Sequence, residues 1–268
     1  MTTQSLFNVN CLELTGDYVS HFDVMLTDPP YSEHVHKSAT SQSKGRGTRK
    51  RDLGFESLSR RARKAIGDWA ARVKRWSVVY SDVESSNWLA LCVQSRGAEY
   101  IRTMPWVRWS MPQLSGDRPP QGFEHVLCFH PKGKKHWNGP GNLTHLSHLA
   151  MRGEAKHKCE KPLDQALDIV SFFSDIGESV FDPFAGHGTF GVACRLLGRH
   201  YVGCENDPVW APKAQARLKS LSESDTDRVL RWLEKDSEPV SSLKEGPSLL
   251  RAQSRALEKD NVRRGVYL

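Results

Sequence analysis

Apolar residues in this chain fall into short runs, separated by longer stretches with a helical beat. Residues 22–27, Phe-Asp-Val-Met-Leu-Thr, form one such run. It suits a buried strand, is too short for a helix, and leads directly into Asp28. Residues 6–14 read as another strand and a turn, with Gly16 and Asp17 as punctuation. Ala62, Ile66, Trp69, Ala70 and Val73 recur at three- and four-residue spacing, which predicts an amphipathic helix over 59–75. Residues 76–80 are strand-like, 87–93 helical, and 100–109 and 124–129 strand-like again, with a Gly/Pro-rich loop at 116–122. Leu163, Ala166, Leu167, Val170 and Phe173 mark a second amphipathic helix, with Pro162 suited to its first turn. A strand at 179–182, a glycine loop, a helix at 189–197 stopped by Gly198 and a strand at 201–205 follow. This β-loop-α-β order implies parallel strands with a right-handed crossover, so the fold class is α/β.

Two internal stretches lack periodicity. Residues 32–52 are rich in Ser, Lys, Arg and Gly and read as a mobile basic loop, continuing to about residue 58. Residues 132–160 are irregular and carry little apolar content. Beyond residue 220 the pattern weakens. Residues 1–220 are therefore read as the folded unit, and 221–268 as a charged tail, partly helical or disordered.

Composition narrows the classes. A chain of 268 residues buries a sizeable core as one domain. Its net charge of +7 fits a polyanionic partner without requiring one. The six cysteines form no C-x-x-C pair and read as reduced thiols of a cytosolic protein. His125, His130, His136, His145, His148 and His157 fall near Cys128 and Cys159 but without zinc-ligand spacing, so no metal is expected. Neither a membrane-length apolar stretch nor a signal-peptide pattern is present, so the protein is expected to stay where it is made, in the cytoplasm and away from the membrane.

Two constellations carry chemistry. The first is Asp182-Pro183-Phe184-Ala185-Gly186-His187-Gly188-Thr189, between a strand and a helix. Glycines there let backbone approach a nucleotide-like ligand, and Glu205 ends the next strand where an acid can grip ribose hydroxyls. A tight turn without ligand would also explain two glycines. Neither the third glycine of a dinucleotide fingerprint nor the Lys-Ser/Thr of a P-loop is present, which favours adenosylmethionine over NAD or ATP.

The second is Asp28-Pro29-Pro30-Tyr31. The lone pair of an exocyclic base amine is delocalised into its ring, so a catalyst must hold the amine hydrogens to turn that pair outward. Asp28 and the Pro29 carbonyl each offer an acceptor. Both residues precede proline, which stiffens the segment in an extended form. Tyr31 offers a ring for stacking, worth about 1–3 kcal/mol per base. A rigid Pro-Pro turn with a capping Asp reads the same way from the motif alone.

Together the two motifs resemble those of the DNA amino-methyltransferases in their permuted β order, where D/N/S-P-P-Y/F comes early and F-x-G-x-G late. The likeness runs from about residue 6 to 218, including Gly116-Asp117-Arg118-Pro119 and Trp137-Asn138-Gly139. It looks nearest to small site-specific methylases of phage and prophage origin. It implies a Rossmann-like methyltransferase fold, a mixed, mostly parallel sheet with circularly permuted strand order, and S-adenosyl-L-methionine as cofactor. By resemblance Asp182, Pro183, Phe184, Ala185, Gly186, His187, Gly188, Thr189 and Glu205 line its pocket, with Lys161, Pro162 and Asn10. The family's Gly-Ser-Gly is here Gly186-His187-Gly188, its usual Gln before Lys-Pro is Glu160, and an Asp frequent in the first strand is replaced by Asn10-Cys11.

The expected activity is N6-adenine methylation of double-stranded DNA, with Asp28, Pro29, Pro30 and Tyr31 catalytic. Asp in the first motif position resembles the adenine enzymes more than the N4-cytosine enzymes. N4-cytosine, an RNA or protein-amide substrate, and a non-catalytic DNA-binding protein with a decayed site stay open. So does a homodimer. Lys44, Arg46, Arg49, Lys50 and Arg51 are candidates for phosphate contacts beside the motif. Residues 132–160 lie where the β order places target recognition, with Lys134, Lys135 and Trp137 as candidates. Phe123 is read first as strand-end packing and Trp106 as core.

Overall fold

The computed structural model describes residues 2–38, 40–43, 47–50, 53–107, 122–141, 145–148 and 160–222. The chain enters through β1 (Gln4–Asn8), a 3-10 turn at Cys11–Glu13 and a short helix α1 (Gly16–Val19), then reaches β2 (Val24–Thr27). After α2 (Glu33–Ser38) come β3 (Thr40–Ser43) and β4 (Gly47–Lys50). These pair antiparallel as a separate hairpin. Next follow α3 (Arg60–Ala70), β5 (Ser77–Ser81), α4 (Val83–Gln94), β6 (Glu99–Val107) and β7 (Phe123–His130). A two-residue β8 (Leu146–Ser147) precedes α5 (Leu163–Phe173), β9 (Ser179–Asp182), α6 (Thr189–Leu196), β10 (His200–Glu205) and α7 (Trp210–Lys219).

Eight strands make the main sheet in the order β1-β10-β9-β2-β5-β7-β6-β8. β1 through β5 in that order run parallel. β7 is antiparallel to both β5 and β6, and β8 is parallel to β6. The late strands β9 and β10 thus lie between two early ones, which is the permuted order expected. The chain leaves β9 toward β10 on one side, while β2 leads to β5 on the other. The gap between β9 and β2 is therefore the topological switch point, where open α/β sheets bind ligands at the carboxyl ends of their strands.

Strand alternation builds a core on each face. Val24, Leu26, Val78 and Tyr80 face α5 and α6, packing with Ala166, Ile169, Val170, Phe190 and Val192. Met25, Val79 and Phe181 point the other way, onto Ile66, Trp69, Ala70 and Leu89 of α3 and α4. Burying each large apolar side chain contributes about 1.5–3 kcal/mol, and Trp69 at 2% exposure sits against Phe181 with ring centroids 6.0 Å apart.

Several elements differ from the pattern-based expectation. Residues 32–52, read as a loop, contain α2 and the β3–β4 hairpin. Ser, Thr, Gln, Arg and Lys alternate there without an apolar face, so nothing in the hydrophobic pattern marks a strand. α4 begins four residues earlier than expected because the Asp82 carboxylate caps it, accepting from Ser85 N at 2.6 Å. α7 was not anticipated. Its apolar face is short, Ala211, Ala214 and Leu218, and a buried Arg217 interrupts it. Beyond Ser222 the expected tail lies outside the described residues, as do Gly116 to Pro119.

Candidate functional site

Asp28 follows the last residue of β2. Its Oδ2 accepts from Lys161 Nζ at 2.6 Å. That ammonium also lies 3.3 Å from the Tyr31 hydroxyl and 3.3 Å from Glu124 Oε2. The Tyr31 hydroxyl in turn donates to Glu124. Three rings surround the Lys161 charge, those of Tyr31 at 5.4 Å, Tyr80 at 5.0 Å and Trp106 at 5.5 Å. Asp28 Oδ1 is buried and has no hydrogen-bond partner among the described residues, although the side chain as a whole keeps 20% of its surface open. Burial pushes the Asp28 carboxyl up, Lys161 opposes this, Glu124 adds to it, and the net direction is upward. Two bonds fix the C-terminal end of the motif. Ser32 N donates to Asp82 Oδ2 at 2.5 Å, and Leu58 N donates to Tyr31 O at 2.9 Å.

The glycine loop lies one strand away. Thr27 Oγ1 donates to Asp182 Oδ1 at 3.0 Å, joining the ends of β2 and β9 across the switch point. Asp182 is 1% exposed, and it also accepts from Phe184 N at 3.3 Å and the Tyr201 hydroxyl at 3.2 Å. Burial drives its carboxyl up to about 7. Its oxygens therefore hold the frame of the loop. Gly186 and Gly188 adopt φ of 53° and 77°, a left-handed backbone that side chains disfavour. A Cβ on Gly188 would also meet Ala214 Cβ at 3.4 Å. Glu205 accepts from Gly186 N and from Asp207 N, each at 2.8 Å, so it anchors the loop to the end of β10. Burial pushes Glu205 up, against those backbone bonds. Asn10 lies just beyond β1, next to β10, and accepts from Leu12 N at 3.0 Å. Pro162 caps α5, and Phe184 packs on Trp69 with centroids 6.5 Å apart.

His187 takes part in a buried ionic cluster that the motif reading did not anticipate. Arg217 NH1 lies 2.7 Å from Glu160 Oε1 and 3.0 Å from His187 Nδ1, which is itself 3.3 Å from Glu160 Oε1. Arg217 also donates to His187 O and Thr189 Oγ1 at 3.2 and 3.3 Å. Burial alone would raise Glu160, but the His187 hydrogen bond and the Arg217 charge outweigh it and hold the carboxyl at about 2. Two of the three departures from the family pattern, at 160 and 187, thus touch each other. Glu124, Asp82 and Arg217 were missed altogether. The available signal was a charged residue inside an otherwise apolar strand or helix face, at 124 and 217.

A family model described as DNA methylase, of the N6/N4 methyltransferases, matches residues 22–215. The chain belongs to this DNA methylase family. A Type II methyltransferase of Haemophilus influenzae, M.HindIII, is 29% identical over 143 residues, 43% of this chain and 45% of that protein. The chain spans less than half the length of the curated relatives it matches. Among solved structures, an M1.HpyAVI–SAM complex superimposes with a TM-score of 0.62 at 24% identity, covering 81% of this chain and 100% of that one. The cytosine-N4-specific PvuII DNA methyltransferase does so with a TM-score of 0.58 at 15% identity, covering 86% and 94%. At these identities the two structures show a common fold, the Rossmann-like one of methyltransferases.

Against this methylase fold, the residues expected to meet DNA separate into groups. The excursion 32–57 leaves from and returns to the end of β2, since Leu58 N bonds Tyr31 O. Of its basic candidates, Arg49 and Lys50 lie in β4, while Lys44, Arg46 and Arg51 lie outside the described residues. Lys134, Lys135 and Trp137 do not share the cleft. β7 runs antiparallel to β5, so its start pairs near Ser81 and its end near Ser77. Asp28 is level with Tyr80 and Val126, so His130 lies about 13 Å further along the sheet and the residues after it emerge at the opposite end. Lys135 pairs there with Glu99 at 2.7 Å. Trp137 packs on Phe173 and Phe172 at 5.1 and 5.7 Å and donates to Pro140 O at 3.1 Å. Phe123, by contrast, starts β7 at the cleft end, 40% exposed and stacked on His125 at 5.5 Å. Trp106 is buried, as expected.

Among the described residues no group of three or more His, Cys, Asp or Glu is arranged to hold a metal ion. His125, His130, His136 and His148 instead meet Ser86, the Pro131 carbonyl, Asp175 and Asp168. The five described cysteines, 11, 92, 128, 194 and 204, are buried and free. No helix of the described residues is long and apolar enough to cross a membrane.

Proposed function

We propose that this protein transfers the methyl group of S-adenosyl-L-methionine to the N6 amine of adenine in double-stranded DNA. The observation that carries the reading is Asp28 Oδ1, a buried acceptor without a partner, on a Pro-stiffened strand end at the switch point, one strand from the glycine loop. An unmet acceptor in a recess costs free energy until a donor arrives, and the amine of an extruded base is such a donor. The buried Tyr80 hydroxyl beside Lys161 also lacks a partner among the described residues, as polar lining of a ligand site does. The glycine loop, Glu205, Asn10, Phe184 and the backbone of the Lys161-Pro162 turn would hold the cofactor, in keeping with the adenosylmethionine complex of M1.HpyAVI. When bound, it supplies an electrophilic methyl carbon on a sulfonium.

This chain's own residues do the positioning. Asp28 Oδ1 accepts one amine hydrogen and the Pro29 carbonyl the other, which turns the nitrogen lone pair out of the ring. The Tyr31 ring stacks on the base, which must leave the duplex to be reached. Holding the partners in line supplies much of the rate. Asp28 need not take a proton before attack, because the amine nitrogen becomes acidic only after it is alkylated.

Asp at the first motif position supports adenine over cytosine. The PvuII neighbour, named for cytosine N4, keeps the second amine as the alternative product. Labelled adenosylmethionine, duplex DNA and nucleoside analysis test the reading. N6-methyladenine from the wild type and none from Asp28→Ala is the expected result. Equal labelling by both proteins would refute the mechanism, and N4-methylcytosine would reassign the base.

A further inference from the structure

We propose that Lys161 is a positioning residue, which grips Asp28 by Oδ2 as an anion and so presents Oδ1 to the target amine, with Glu124 as the counter-charge that keeps Lys161 and Tyr31 in place. The inference deepens the proposed methyl transfer and rests on it.

The geometry separates the two carboxylate oxygens by role. Oδ2 is taken by Lys161 Nζ at 2.6 Å, and Oδ1 has no partner among the described residues. A carboxyl group that kept its proton would present a donor or a weaker acceptor, and could not hold an amine hydrogen as an anion does. Asp28 is pressed toward that neutral form by burial, and by the Glu124 charge as well. The groups facing it are Lys161 from the start of α5, Glu124 from β7, Tyr31 from its own segment, Tyr80 from β5 and Asp182 from β9. Lys161 is the cation among them. Its side chain is 9% exposed and its ammonium is bracketed by three rings, so it is held close to Asp28 rather than swinging in water. Proline at 162 fixes the backbone immediately after it and caps α5.

Glu124 ties the remaining parts together. It accepts from Tyr31 and lies 3.3 Å from Lys161, so a single carboxylate sets the stacking ring and the cation at once. Its own charge works against the ionisation of Asp28, so the two partners of Asp28 act in opposite senses. That opposition gives the test its signature.

The rate of methyl transfer to duplex DNA is measured against pH for the wild type, Lys161→Met, Lys161→Arg and Glu124→Gln, with adenosylmethionine binding followed by calorimetry. In Lys161→Met the acidic limb moves up by about 1–3 units, the span an adjacent opposite charge commands. Arginine returns it toward the wild-type position. Glu124→Gln moves the limb down, which keeps the idea testable should Lys161→Met fold poorly. Cofactor affinity of Lys161→Met stays within about threefold, a difference of under 1 kcal/mol. A limb that stays put in both Lys161→Met and Glu124→Gln overturns the inference. So does loss of cofactor binding in Lys161→Met with an unmoved limb, which would make Lys161 a cofactor ligand only. Absence of transfer by the wild type would instead strike the proposed function itself.

Discussion

Replacing Glu160 by Gln removes the charge at the centre of the Glu160–His187–Arg217 cluster while keeping the shape of the side chain. In the native cluster Glu160 is held at about 2, against an ordinary 4.5. That difference corresponds to about 3 kcal/mol of stability at neutral pH. Glutamine still offers Arg217 an oxygen, so a loss of about 2–3 kcal/mol is expected at pH 7. The sign follows from linkage. A carboxyl whose pKa is depressed on folding stabilises fully above its unfolded value, and the contribution fades as pH falls from 4.5 toward 2. The gap between wild type and Glu160→Gln should therefore narrow by about 2 kcal/mol between pH 7 and pH 3. Urea titrations read by tryptophan fluorescence measure both gaps. A gap equal at the two pH values, or below about 0.5 kcal/mol at pH 7, would refute the cluster as described. His187→Ser combined with Glu160→Gln, the residues the family pattern has there, should cost less than the sum of the single changes because the two touch.

Three other expectations bear on packing and binding. Trp69→Ala should destabilise by about 3–5 kcal/mol in the same titration, since the ring is buried between α3 and the sheet. Gly188→Ala should weaken adenosylmethionine binding measured by calorimetry, because φ of 77° opposes a Cβ. Phe123→Ala should lower affinity for duplex DNA by up to about 1–3 kcal/mol if the exposed ring meets the extruded base, whereas Lys134→Ala and Lys135→Ala, at the far ends of the strands, should leave it nearly unchanged in fluorescence anisotropy.

The parallel sheet was legible because its strands are buried on both faces and read as short apolar runs, as at Val24-Met25-Leu26 and Val78-Val79-Tyr80. The motifs were legible because proline and glycine report backbone geometry directly, and both fall at strand ends. Less could be seen wherever tertiary pairing decides. The β3–β4 hairpin is held by backbone bonds between polar residues. Glu124 and Arg217 become site residues only when β7 and α7 are placed beside partners 93 and 57 positions away in sequence. The assignment of Lys134, Lys135 and Trp137 to DNA contact followed sequence order, and the antiparallel turn of β7 carries them to the opposite end of the sheet.

Asp28 is the centre of the proposed methyl transfer, and nucleoside analysis of duplex DNA after incubation with adenosylmethionine tests its role most directly. N6-methyladenine is expected with the wild-type protein, and a loss of at least about 100-fold with Asp28→Ala. Undiminished N6-methyladenine from Asp28→Ala would contradict it.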